Sequence, residues 1–211
     1  KGLMGHETPS VLADKIVEAL KTDSNPDGLF LHPGSKQYQH LCFTGGEPLM
    51  ATGQLASMGI YKALKKKNNL PKSMTFETNG TQTLREPFKQ WIKDIPEEIF
   101  FSVSPKLFTV SGEKTEKAIK PENVAEYTEC SNRGQLKFVV GAADREWDEL
   151  EMTVEKFRKA GVQWPVWIMP TGAREEEQVA TAGQVAEKAF KKGYNVAARV
   201  HVYLFGNAIG T

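Results

Sequence analysis

Four short polar stretches follow apolar stretches of this chain, and they are the residues best suited to bind a small ligand. They are GGEP at 45–48, ETNG at 77–80, SPK at 104–106 and PTG at 170–172. If the preceding apolar stretches are parallel strands, their carboxyl ends lie on one edge of a sheet, where ligands bind. The sequence therefore predicts that the four stretches converge on one site.

The GGEP stretch suits a ligand that carries an ammonium group. Gly45 and Gly46 expose backbone N–H and C=O groups and allow close approach of a ligand. Glu47 adds a fixed negative charge beside them. The alternative interpretation is a tight turn with a solvated glutamate.

The next two stretches offer hydroxyl, amide and ammonium groups. Thr78 and Asn79 precede Gly80, and Asn-Gly is also an ordinary turn signal. Ser104 and Lys106 could hold a ribose hydroxyl and a carboxylate, although a lysine on a loop is often simply solvated. These residues favour an amphoteric ligand but do not indicate a reaction.

A cation and a titratable ring lie close together near the end of the chain. Arg199 and His201 are two residues apart on a predicted strand, so they share one of its faces. That pair suits an anionic or heterocyclic ligand. The alternative is a core histidine with satisfied hydrogen bonds.

The elements that must position these residues alternate between strand and helix. Strands are predicted at 40–44, 74–78, 99–104, 135–140, 166–169 and 196–205. Helices are predicted at 8–20, 55–64, 144–160 and 175–192. Residues 23–37 are predicted to form a loop, and 105–130 a surface excursion with few apolar residues. The alternation predicts a single α/β domain over 1–211, with a parallel sheet and outer helices, open or partly closed as a barrel.

Composition excludes several classes of protein. The 211 residues are 40% hydrophobic and 25% charged with a net charge of +1, which is typical of a globular chain and gives no bulk attraction to nucleic acid or membrane. No apolar run approaches the length of a transmembrane helix. The two cysteines, Cys42 and Cys130, cannot together ligate an iron–sulfur cluster or a structural zinc. They favour a reducing, cytoplasmic compartment, and Cys42 is predicted to be a buried small hydrophobe.

Taken in order, the motifs resemble those of a known enzyme family. TGGEP at 44–48 is similar to the GGE motif of radical S-adenosylmethionine enzymes. ETNGT at 77–81, SPK at 104–106, MPTG at 169–172, RVH at 199–201 and FGNAIGT at 205–211 together resemble the 7-carboxy-7-deazaguanine synthases of that superfamily. The resemblance covers about 40–211 and implies an incomplete (β/α) barrel of parallel strands with outer helices.

The resemblance also implies a reaction. In this family a reduced [4Fe–4S] cluster cleaves S-adenosylmethionine to a 5′-deoxyadenosyl radical, which abstracts hydrogen from 6-carboxy-5,6,7,8-tetrahydropterin. The ring contracts, ammonia leaves, and 7-carboxy-7-deazaguanine is formed for queuosine and related 7-deazapurines. The family further implies Mg²⁺, a homodimer and an electron donor such as flavodoxin, with no direct contact to nucleic acid or membrane.

Site residues are carried over from the family motif by motif. The residues implied to bind S-adenosylmethionine are Gly45, Gly46, Glu47, Thr78, Asn79, Ser104, Lys106, Met169 and Pro170. Of these, 45–47 would hold the methionyl ammonium, and Ser104 and Lys106 the ribose and carboxylate. Met169 and Pro170 would pack near the adenine, although some members carry Gln where Met169 stands. The residues implied to bind the pterin substrate are Arg199, His201 and, through its carboxylate, Thr211.

One departure from the family is serious. Its three cluster cysteines lie in an N-terminal segment, and none has a counterpart here, so we expect no metal ligand in this chain. We expect that cluster-binding portion to be missing from the chain, which would leave the barrel without its first strand and helix and some core uncovered. The alternatives are another radical enzyme of the superfamily, such as an activating enzyme for a glycyl radical protein, or a non-catalytic paralogue that binds a nucleotide or protein partner.

Overall fold

A six-stranded sheet organises the chain. The computed structural model describes residues 7–172 and 174–205, and only the backbone at His201, Tyr203 and Phe205. The strands are β1 Leu41–Phe43, β2 Ser73–Thr78, β3 Glu98–Val103, β4 Gly134–Val140, β5 Val166–Pro170 and β6 Asn195–Val196. They lie in the order β1-β2-β3-β4-β5-β6 and their described ladders are parallel. The predicted α/β class with an unclosed parallel sheet is confirmed.

Helices fill most connections between the strands. They are α1 Pro9–Ala19, α2 Ala51–Lys66, α3 Glu86–Asp94, α4 Phe108–Ser111, α5 Thr115–Ala118, α6 Pro121–Cys130, α7 Asp144–Lys159, α8 Glu175–Lys191 and α9 Val200–Phe205. The start of α1 is fixed as predicted, because Thr8 Oγ1 accepts from Val11 N at 3.4 Å and Pro9 occupies the first turn. No helix in the described ranges is long and apolar enough to cross a membrane.

Chain contacts divide the sheet and its helices into two compact units. The first unit takes the described residues up to Glu77 together with Thr83–Phe100, and the second takes Thr78–Gln82 together with the described residues from Phe101 onward. In the first unit Phe76 stacks on Phe43 at 4.9 Å between ring centroids and meets Phe88 edge-on at 5.4 Å. Because Phe88 belongs to α3, this contact shows which face of β2 packs against a helix.

The second unit has its own aromatic core. Phe101 stacks on Tyr127 at 5.0 Å and on Trp164 at 6.1 Å. Phe138 of β4 meets Phe157 of α7 at 6.4 Å. Phe101 and Phe138 are fully buried, so β3 and β4 each turn one apolar face toward helices.

The segment 105–130 is not the surface excursion that the sequence predicted. It forms α4, α5 and α6 and buries Leu107, Ala118, Ile119, Val124 and Tyr127. The prediction was wrong because the apolar residues are few but lie on the core-facing sides of short helices or directly at the ends of those helices. Tyr127 alone contributes a large buried ring.

The last predicted strand is also wrong beyond its first two residues. Strand β6 ends at Val196, and the backbone is helical over Val200–Phe205. Ala197 N still donates to Ile168 O at 2.8 Å, but the register would next bring residue 198 opposite Pro170, which has no N–H. The two-residue alternation used for Arg199 and His201 therefore does not apply, because Arg199 precedes α9 and the backbone of His201 is helical rather than extended.

The prediction for Cys42 is wrong as well. Its side chain is exposed, while Leu41 before it is buried and Phe43 after it is half-buried. Strand β1 is a three-residue edge strand, and its alternation turns Cys42 to the face opposite the helix-packed one.

Candidate functional site

Two consecutive left-handed glycines follow β1. Gly45 and Gly46 have φ values of 83° and 55°, a conformation that disfavours any residue with a Cβ. A Cβ at either position would meet no atom within 4 Å, and both residues are exposed. Their peptide groups therefore form a turn and remain accessible to a ligand.

Glu47 holds the turn that leads into α2. Its Oε1 accepts from Leu49 N at 3.0 Å, and its carbonyl accepts from Met50 N at 3.2 Å. The side chain is half-buried. This geometry keeps a carboxylate next to the two glycines, so the turn and the binding interpretation of this stretch are compatible.

A second carboxylate lies beside the end of β1. The register pairs Phe43 with Phe76, so Thr44 is next to Glu77, and Thr44 Oγ1 donates to Glu77 Oε2 at 3.1 Å. Both side chains are exposed. Sequence reasoning included Glu77 in the ETNG stretch but assigned it no role of its own. The signal available was the alternation along β2, which puts Glu77 on the face opposite Phe76.

The same face of β1 and β2 carries a polar cluster. His40 Nδ1 lies 2.8 Å from Ser73 Oγ, and its Nε2 lies 2.6 Å from Thr75 Oγ1. Burial lowers the pKa of His40 below its ordinary value of 6.5. A neutral ring donates through one nitrogen and accepts at the other, so the two hydroxyls have complementary roles.

Thr78 and Asn79 shape the loop after β2. Thr78 is buried, its carbonyl accepts from Ser104 N at 2.7 Å, and its Oγ1 accepts from Gly80 N at 3.1 Å. Asn79 Oδ1 accepts from the backbone and hydroxyl of Thr81 at 2.9 and 2.7 Å. The structure thus joins the predicted residues Thr78 and Ser104 directly and gives Asn79 a role in the turn.

The segment that carries Lys106 is anchored from α7. Lys106 is exposed, whereas Leu107 after it is buried. Glu149 accepts from Phe108 N at 2.7 Å, from Thr109 N at 2.8 Å and from Thr109 Oγ1 at 2.6 Å. The lysine therefore projects from a loop whose following residues are fixed.

The end of β5 meets Arg199. Arg199 Nε donates to Met169 Sδ at 3.3 Å, which brings together two of the predicted site residues. Gln178 of α8 is fully buried and donates to Gly172 O at 2.8 Å and to Pro170 O at 3.4 Å. The side chain of His201 and the whole of Thr211 lie outside the described residues.

Comparisons with known proteins place these features in context. No family model matches the chain. The chain is 27% identical over 183 residues to a 7-carboxy-7-deazaguanine synthase of Rhodopirellula baltica. The match covers 82% of this chain and 64% of the relative. Because the chain spans less than two thirds of that relative, the individual reaction is a proposal.

Solved structures support the fold. The chain aligns with Streptococcus suis SuiB bound to its precursor peptide SuiA at a TM-score of 0.54 and 10% identity, over 92% of this chain and 42% of that one. SuiB bound to S-adenosylmethionine aligns at a TM-score of 0.48 and 13% identity, over 83% of this chain and 43% of that one. At these identities the likeness shows the fold alone.

The described residues do not fit the cluster that the superfamily uses. They contain no group of three histidine, cysteine, aspartate or glutamate side chains able to hold a metal ion. The chain has two cysteines in all, Cys42 in β1 and Cys130 at the end of α6. A cluster with one open iron position needs three thiolates, so no chemical step can be assigned to a cluster held by these residues.

Proposed function

We propose that this chain is the ligand-binding part of a 7-carboxy-7-deazaguanine synthase, a lyase that converts 6-carboxy-5,6,7,8-tetrahydropterin with loss of ammonia. One observation carries the proposal: four motifs shared with that family each stand at the carboxyl end of a parallel strand. The stretches at 45–48, 77–80, 104–106 and 170–172 follow or complete β1, β2, β3 and β5 in turn. The 27% identity to a synthase supports the same assignment.

The residues at these strand ends suit the polar groups of S-adenosylmethionine. Glu47 and the accessible peptides of Gly45 and Gly46 would bind the methionyl ammonium. Lys106 would pair with the carboxylate, and Ser104 would bind a ribose hydroxyl. When bound and reductively cleaved, the cofactor supplies the radical that starts the ring contraction.

The remaining predicted residues have supporting or substrate roles in the proposal. Thr78 and Asn79 hold the loop beside Ser104, and Met169 with Pro170 would contact the adenine. Arg199, which contacts Met169, would face the pterin together with His201 and Thr211. The homodimer, the Mg²⁺, the flavodoxin-type electron donor and a cytoplasmic location belong to the same proposal, and the cluster thiolates would have to come from residues outside these 211.

Binding of S-adenosylmethionine to the chain tests the cofactor part. Calorimetric titration should give saturable binding, and Glu47→Gln or Lys106→Met should weaken it by about tenfold or more, because each removes a charge-assisted contact. Lys62→Met is the matched control, since Lys62 is an exposed lysine of α2. Equal affinity in all four proteins would exclude these residues from the site.

Turnover tests the reaction. The full-length protein, purified without oxygen and reduced, should convert the carboxy-tetrahydropterin to the deazaguanine product. Cofactor cleavage without that conversion would indicate another radical enzyme of the superfamily.

A non-catalytic binding protein is the second candidate, because the chain holds only two cysteines. Iron analysis of the full-length protein separates the two. An iron-free protein that still binds a nucleotide would favour the second candidate.

A further inference from the structure

The face of β4 and β5 that turns away from α7 carries a lysine and a tryptophan side by side. Leu136 and Phe138 are fully buried, and Phe138 packs on Phe157 of α7, so Lys137 projects from the opposite face. On β5, Ile168 is fully buried, whereas Trp167 is half-buried on that opposite face. The register pairs Lys137 directly with Trp167.

The same row includes a residue of the proposed site. Strand β3 pairs Ser102 with Gln135 and Val103 with Leu136, so Ser104 follows next to Lys137. Gln135 Nε2 donates to Ser102 Oγ at 2.9 Å in the row before, which confirms that both strands present polar groups here. Since neighbouring strands lie about 4.8 Å apart, Ser104 and Trp167 are separated by about 10 Å, with Lys137 between them.

This row has the chemistry of a site for a flat anionic heterocycle. An ammonium group on a half-buried face binds a carboxylate more strongly than one on a flexible loop, because it is less screened by water. An adjacent indole offers an apolar face on which a ring can stack. A span of about 10 Å accommodates a bicyclic ring with one substituent.

We propose that Lys137 and Trp167 bind the pterin substrate, with Lys137 contacting its carboxylate and Trp167 its ring. This assignment rests on the proposed function for the identity of the ligand, and it adds two residues that none of the shared motifs contains. Ser104, at the end of the row, then lies where the cofactor and the substrate adjoin.

Stable pterins allow a direct binding test. The chain is titrated with pterin-6-carboxylate and with unsubstituted pterin, following the pterin fluorescence. We expect wild type to bind the carboxylate about tenfold more tightly than pterin. Lys137→Met should abolish that preference while leaving the affinity for pterin within about twofold, and Trp167→Leu should weaken both ligands.

Controls separate a binding role from a folding role. Lys137→Arg keeps the charge and should retain the preference for the carboxylate, and Lys62→Met should behave as wild type. If Lys137→Met proves unfolded, Lys137→Arg and the salt dependence of wild type still test the inference. A preference for pterin-6-carboxylate that depends on an ion pair declines as the salt concentration rises. An unchanged preference in Lys137→Met, or wild type that binds neither pterin, would overturn the inference.

Parallel titrations with S-adenosylmethionine distinguish this inference from the proposed function. Cofactor binding that depends on Lys106, with a pterin preference independent of Lys137, refutes the inference alone. A pterin preference that depends on Lys137, with no cofactor binding, refutes the proposed function and retains the substrate site.

Discussion

Gln54 is a buried amide that ties together two loops of the first unit. It is 1% exposed, and its Nε2 donates to Leu49 O at 2.6 Å and to Thr83 O at 2.9 Å. Its Oε1 accepts from Arg85 N at 2.9 Å. Leu49 lies just after the GGEP stretch, and 83–85 follow the ETNGT stretch. Gln54→Met keeps the side-chain volume and removes all three hydrogen bonds.

The cost of this change follows from the burial of the three partners. Leu49 is fully buried, so its carbonyl loses a partner that water cannot replace, which costs about 1–3 kcal/mol. Thr83 and Arg85 are exposed, so water replaces their lost bonds, at about 0.5–1.5 kcal/mol each. We therefore expect a loss of about 2–6 kcal/mol in the free energy of unfolding, or about 4–24 °C in Tm for a chain of this size.

Denaturation of the purified chain measures the effect. Gln90→Met is the matched control, because Gln90 is exposed on α3 and, within the described ranges, donates only to the exposed Asp94 at 2.6 Å. The control should change stability by less than about 0.5 kcal/mol. If Gln54→Met loses no more than Gln90→Met, the two loops hold their positions without the amide and the reasoning is refuted.

Three further predictions concern single side chains. Glu149→Gln weakens the contacts that fix the segment after β3, so the affinity for S-adenosylmethionine should fall while Tm changes little. The control Glu155→Gln, on the exposed side of α7, should leave that affinity unchanged. Because the folded state lowers the pKa of His40 below 6.5, the unfolded state binds more protons, so stability should fall as the pH drops from about 6.5 toward the folded pKa. His40→Gln should remove that slope, and NMR titration should place the His40 midpoint below 6.5; a midpoint at or above it contradicts the assignment. Gln178→Met should cost less stability than Gln54→Met, since Gln178 Oε1 has no partner among the described residues and its removal relieves a penalty.

Much of the fold could be predicted because its signals are local. Thr8-Pro9 marks the start of α1, and the apolar runs of β2 and β4 are followed by Asn-Gly and by glycine, which disfavour a strand. Helix α3 was missed although Phe88, Trp91 and Ile92 have helical spacing, because the segment is short and follows a polar loop.

The elements that could not be predicted depend on partners that are distant in sequence. Strand β6 ends where it does because of Pro170 on the neighbouring strand, and Cys42 is exposed because the alternation of β1 turns it to the sheet face opposite the helix-packed one. In the same way, the sequence shows that residue 137 is a lysine, but its position beside Trp167 follows only from the pairing register of β4 and β5. Local patterns therefore identified the residues at strand ends, and only pairing revealed the polar row across the sheet.

The contacts around the strand ends explain how exposed side chains can be held for binding. Gln54 fixes the loops after β1 and β2, Glu149 the segment after β3, and Gln178 the end of β5. Lys188 does the same after β4, since its Nζ donates to Ala142 O at 2.8 Å. Each anchor comes from a helix and bonds mainly to backbone, so the loop is ordered before any ligand arrives and less conformational entropy is lost on binding. A substitution at one of these anchors should therefore lower the affinity for the ligand, although the anchor itself does not contact the ligand. Glu47 and Lys106 differ from the anchors because they are proposed to contact the ligand directly.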